Sequence, residues 1–158
     1  SNNFHSNSNA MGATFADVEV DIKTGKVKIL NILNVHDSGH ILNPLLASGQ
    51  VEGGMGMAVA YALAEELRYD EKTGAPLNNN LLDYKMPTSM DLPDMETLFV
   101  EEDDPMGPYG NKALGEPPIC SPAAAIRNAV LDAIGIEVDE LPIKPQKLME
   151  ILKNNGIV

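Results

Sequence analysis

Cysteine occurs once, at Cys120, so the 158-residue chain can hold no internal disulfide and no zinc or iron-sulfur site that needs two cysteines. Basic residues are scarce as well: 11 Lys and Arg stand against 23 Asp and Glu, for a net charge of -12. A surface of that sign repels phosphate backbones and anionic bilayers, which argues against nucleic acid or a membrane as partner. No apolar run approaches the roughly 18 residues that span a bilayer, and no charged-then-apolar segment has the form of a signal peptide. These lacks fit a reducing, cytoplasmic setting. The chain also carries no GxSxG elbow, phosphate-binding loop or dinucleotide fingerprint.

What is present suffices for one domain. With 44% hydrophobic residues, the chain can build a single core but not two. The Asn/Ser-rich opening "SNNFHSNSNA" has no apolar pattern. Residues 1–11 therefore read as a tag or disordered lead-in, and residues 12–158 as the domain. In "TFADVEVDIKTGKVKILNILNV", imperfect alternation on both sides of Gly25 predicts a β-hairpin. Asn43 and Pro44 then predict an N-cap and first turn, followed by Val51, Met55, Ala58, Val59 and Ala62 at helical spacing. "LRYDEKTGAPL" reads as a second turn of the Gly25 kind, residues 81–96 as an irregular connection, and "METLFVEE" as a strand. The acidic run Glu101–Asp104 reads as a solvated loop. Ser121–Ile134 and a segment starting at Pro145 predict two more helices. The fold class is α+β, a hairpin and further strands packed with two or three helices.

Three features invite chemistry. Gly49, Gly53, Gly54 and Gly56 crowd the first helix, each costing about 1 kcal/mol relative to alanine, which is tolerable where a backbone or a ligand approaches closely. Tight packing against a neighbouring helix is the plainer reading, since glycine clusters of this kind occur at ordinary helix contacts. Glu116 stands between Gly115 and Pro117-Pro118, a rigid corner just ahead of a helix N-terminus. The helix dipole would keep its carboxylate charged while burial would oppose that, a balance suited to a general base. A capping role, or an ion pair with Lys112, is the plainer reading. His36, Asp37 and His40 in "VHDSGH" could form a metal-hydrolase site, although such residues after a strand more often serve loop hydrogen bonds. Cys120 has no histidine near it in sequence to make it a nucleophile.

Taken together, "ADVEVDIKTGKVKIL", "HDSGHILNP", "GQVEGGMGMAVAYALAEEL" and "NKALGEPP" before an alanine-rich helix resemble the C-terminal part of the molybdenum-binding subunit of the xanthine dehydrogenase and aldehyde oxidase family. The resemblance runs from about residue 13 to the end, and "GQVEGG" with "GEPP" is its specific part. It implies a C-terminal molybdopterin-binding-type domain in which Glu116 is the base beside the molybdenum, Gln50 contacts the pterin, and Gly115 lies against the same site. It implies oxidative hydroxylation of purine-like N-heteroaromatic rings or aldehydes, with electrons leaving through iron-sulfur and FAD modules. The family subunit is several times longer, so the resemblance also implies a domain that binds no molybdopterin cofactor alone, is inactive alone, and self-associates through the face that the remainder of the subunit covers. The competing reading is a non-catalytic interaction or assembly domain in which Glu116 is structural.

Overall fold

A computed structural model describes residues 9–158, so the lead-in expectation for residues 1–8 lies outside the described residues. Strands β1 (Met11–Asp21) and β2 (Lys26–Asp37) form the expected antiparallel hairpin. The alternation is imperfect for a physical reason. Asp17 faces Asn31 and Val18 faces Ile29, leaving Leu30 as an unmatched bulge residue. One extra residue turns the strand over, so that Ile29 before it and Ile32, Asn34 and His36 after it share the buried face.

From β2 the chain runs through helix α1 (Pro44–Leu63) and a long irregular segment into β3 (Asp94–Phe99). β3 lies parallel to Asn31–His36, giving sheet order β1-β2-β3. A parallel partner requires such a crossover, whereas the hairpin needs only a turn. α1 begins where Asn43 and Pro44 place it, the Asn43 carboxamide accepting from Leu46 N at 3.1 Å. It then runs unbroken through its four glycines. Tertiary burial outweighs their roughly 1 kcal/mol each, because Val51, Met55 and Val59 pack with Ile29, Ile32 and Ile126 in the main core, at about 1.5–3 kcal/mol per large side chain.

Past β3, a 3-10 turn at Pro108–Gly110 leads to a four-residue helix α2 (Pro117–Cys120), then to α3 (Pro122–Ile134) and α4 (Pro145–Asn154). Sequence periodicity gave no hint of α2 as a separate turn. α3 packs against β1 and α1. Val130, Val138, Ile143, Leu148 and Leu152 close a second cluster around α4. The acidic run is not simply solvated. Asp104 is buried and accepts from Met106 N at 2.7 Å, and Glu101 accepts from Ile41 N at 3.0 Å.

Candidate active site

The Glu116 corner is held by four contacts from three distant parts of the chain, β1, β2 and α1. Pro118 is buried against α1, where Gly54 leaves room for it: a Cβ on Gly54 would stand 2.8 Å from Pro118 Cβ. The Pro118 carbonyl accepts from Asn34 Nδ2 on β2 at 3.4 Å, and Ser121 Oγ meets Thr14 Oγ1 on β1 at 2.7 Å. On the other side of the glutamate, Gly115 O accepts from Gln50 Nε2 at 3.0 Å, a bond between residues 65 positions apart. The structure thus brings Gln50, Gly115 and Glu116 to one place.

Both plain readings of Glu116 fail here. Its backbone caps α2 but its side chain makes no capping hydrogen bond, and Lys112 is paired with Asp37 instead. The four-residue α2 supplies little of the dipole expected at this corner. Nor is the carboxylate buried. Glu116 is exposed at a cavity of about 650 Å3, lined also by Gly12, Ala113, Gly115, Cys120 and Ser121. A depression of about 720 Å3 between β2 and residues 85–94 shares none of these residues.

The glycines divide by position. Gly54 serves internal packing, and Gly56 faces Leu92, where a Cβ would make ordinary contact at 3.6 Å. Gly49 and Gly53, on either side of Gln50, and Gly115 beside Glu116 face open space and are exposed. A surface stripped of side chains around one carboxamide and one carboxylate is a cradle that Cβ atoms would narrow, and it suits a flat cofactor approaching the backbone. Gln50 keeps its carbonyl oxygen and its second N–H for such a group, since Gly115 O uses one donor.

Beneath the cavity lies a buried histidine. His36 is 1% exposed and packs under Gly12, where a Cβ would fall 2.6 Å from its Nδ1. Neither ring nitrogen meets a partner in hydrogen-bond geometry. Burial pushes the imidazole down toward the neutral form, and the nearby Ala113 backbone and Asp37 oppose this only in part. Burial also pushes the Asp37 carboxyl up, but Lys112 and the Gly39 N–H outweigh it and hold the group below its ordinary value.

His36, Asp37 and His40 therefore do not converge. His40 faces outward toward Glu101 and Asp103, and among the described residues no group of three His, Cys, Asp or Glu side chains could hold a metal ion. Cys120 lines the cavity with its thiol donating to Glu116 O at 3.6 Å, and among the described residues no histidine lines that cavity. Among the described residues no helix is long and apolar enough to cross a membrane.

Known proteins share the sequence and the fold of this chain. The xanthine dehydrogenase molybdenum-binding subunit of Escherichia coli O157:H7 is 57% identical over 149 residues, 94% of this chain and 20% of that protein. The aldehyde oxidoreductase molybdenum-binding subunit PaoC of Escherichia coli K12 is 40% identical over 139 residues, 87% of this chain and 19% of that one. The CO dehydrogenase of Oligotropha carboxidovorans superposes with a TM-score of 0.84 at 32% identity, covering 94% of this chain and 19% of that one. The chain thus spans about a fifth of the length of the curated relatives it matches. Residues 1–93, which include Gln50 and its glycines, match the sequence model of the molybdopterin cofactor-binding domain, and the chain belongs to that family.

Proposed function

We propose that this chain is the C-terminal part of the molybdenum subunit of a molybdenum hydroxylase, and that Glu116 is its general base. The observation that supports this reading is the Gln50 to Gly115 hydrogen bond, which ties Gln50 to the residue beside Glu116, next to three glycines with open space before them. When bound, the molybdopterin cofactor supplies the redox centre at which an electron-poor carbon of an N-heteroaromatic ring or an aldehyde gains oxygen and gives up two electrons.

The residues of this chain do the positioning and move the proton. Glu116, as its carboxylate, accepts a proton at a side-chain oxygen, which requires it to stay within hydrogen-bonding reach of the reacting group. The buried Pro118, the Gly54 contact and the Asn34 and Gln50 bonds hold the backbone on both sides of it, so that reach does not have to be found anew in each turnover. Gln50 and Gly115 would hold the pterin.

One wall of a site is all this arrangement provides. Glu116 and Gln50 are exposed, and Leu45 at 83% and Leu46 at 70% exposure lie on the same end of α1 as Gln50. The remainder of the subunit closes the site and covers this apolar surface, and iron-sulfur and FAD modules carry the electrons away. The chain alone is inactive.

Glu116→Gln in the complete enzyme tests the assignment. Size and hydrogen bonding are nearly kept while the basic carboxylate is lost, so turnover falls at least about 100-fold with molybdenum content unchanged. Glu71→Gln, in an exposed turn, leaves turnover unaltered. A Glu116→Gln enzyme within about threefold of wild type would show the corner to be structural and would favour the assembly-domain reading.

A further inference from the structure

We infer that Asp37 and Lys112 form a positioning pair for Glu116, an inference that rests on the base reading of that residue. The segment from Asn111 to Gly115 has no regular structure of its own, yet it sets where the corner stands. It is fastened along the end of β2. Gly39 bridges Asn111, Lys112 N donates to Ser38 O at 2.7 Å, and Ser38 Oγ donates to Ala113 O at 3.2 Å. Across this seam Lys112 Nζ meets Asp37 Oδ2 at 2.6 Å, with the two side chains only 10% and 16% exposed. Asp37 is itself fixed, because its other oxygen accepts from Gly39 N at 2.9 Å.

A half-enclosed ion pair of this kind is a poor source of stability and a good source of register. An apolar pair would fill the same volume without favouring one register, whereas a charged pair that shifts leaves two unpaired charges, so the pair sharpens the register that the backbone bonds set. Lys112 precedes Glu116 by four residues along a segment whose far end is tied to Gln50. Displacing Lys112 therefore moves the carboxylate rather than removing it. A displacement of about 1 Å at a reacting group costs on the order of 100-fold in rate, so a smaller shift is felt without any change in the residues at the reaction.

The test uses the complete enzyme. Lys112→Met lowers kcat about 10-fold or more, with KM changed less than about threefold and molybdenum content unchanged, and Lys112→Arg restores most of the loss. A second readout needs no cofactor. In enzyme prepared without molybdopterin, exchange of the Asn111 and Lys112 amides, which donate to Pro108 O and Ser38 O, quickens at least about 10-fold in Lys112→Met, while α3 exchanges as before. Asp37→Asn, nearly isosteric, gives both effects in weaker form if the lysine variant accumulates poorly. Unchanged kcat and unchanged exchange in the two variants would overturn the inference. So would a loss of molybdenum and of protection throughout the domain, which would mark the pair as a plain fold contact. If Glu116→Gln keeps its activity, the base reading falls, and the exchange result alone still decides whether the pair holds the corner.

Discussion

Two turns of this molecule share the pattern Asp-x-Lys-Thr-Gly, and they close in the same way. In the hairpin turn, Asp21 accepts from Lys23 N at 2.9 Å and Thr24 Oγ1 at 2.7 Å, and Gly25 takes a φ of +71°. In the loop after α1, Asp70 accepts from Lys72 N at 3.1 Å and Thr73 Oγ1 at 2.8 Å, and Gly74 takes a φ of +68°. Each aspartate is held below its ordinary pKa, first of all by the hydroxyl of its own threonine. Their surroundings differ completely. Gly25 is buried under the start of α4, whereas Gly74 faces open space. A local pattern fixes the shape of a turn, and the packing around it decides what the turn is worth. The Glu116 corner is the opposite case, since the side-chain bonds that fasten it to the rest of the fold join residues 65 to 107 positions apart.

The largest effect separates the twin turns. A methyl group at Gly25 would overlap the Pro145 carbonyl oxygen and crowd Met149 Cγ at 2.8 Å, in a backbone region that L residues rarely adopt. Gly25→Ala therefore combines overpacking of about 1–3 kcal/mol with a left-handed penalty of about 1–2 kcal/mol. For a chain of this size each kcal/mol lowers Tm by about 2–4 °C, so a melt should show a drop on the order of 10 °C. A drop below about 3 °C would mean that α4 gives way easily, and the contrast between the turns would collapse.

Smaller, and aimed at the corner, is Gly54→Ala. Its methyl group would meet Pro118 Cβ at 2.8 Å and Ile119 N at 3.2 Å, so α1 and α2 must part by a few tenths of an ångström. Glycine to alanine in a helix gains about 1 kcal/mol of propensity, which offsets part of an overpacking cost of about 1–3 kcal/mol and leaves a modest net loss in Tm. Turnover of the complete enzyme should fall by more than the stability change alone explains, because the displaced residues adjoin Glu116. Equal turnover in Gly54→Ala and wild type would show that the corner tolerates movement.

The same contrast explains what the sequence made legible. The Asn43-Pro44 start of α1, both Asp-x-Lys-Thr-Gly turns and the Pro145 start of α4 are written in residues that touch one another along the chain, and the structure contains each of them. The Leu30 bulge, the parallel pairing of β3 and the short α2 depend on partners far away in sequence, and no local pattern marks them. At the site, Gln50 and Glu116 came into view through resemblance. Lys112 was considered as a partner for Glu116 and proved to be the partner of Asp37. Charge type alone cannot choose between two carboxylates when a fold brings one of them within 2.6 Å from 75 residues away. His36 was weighed as a metal ligand, when the absence of a side chain at Gly12 instead makes it a buried support.

The smallest effect is also the control for the whole comparison. Gly74→Ala meets nothing within 4 Å, so its cost comes from the φ of +68° alone. That cost, about 1–2 kcal/mol, is offset by about 0.4–1 kcal/mol because alanine restricts the unfolded chain more than glycine does. The net loss is therefore between about zero and about 1.6 kcal/mol, a Tm change of about 6 °C at most. Turnover of the complete enzyme should not change, since none of the bonds closing this turn reaches the Glu116 corner. A loss as large as that of Gly25→Ala would mean that the second turn, too, is packed against something in the assembled protein, and would place a covering surface over residues 70–76.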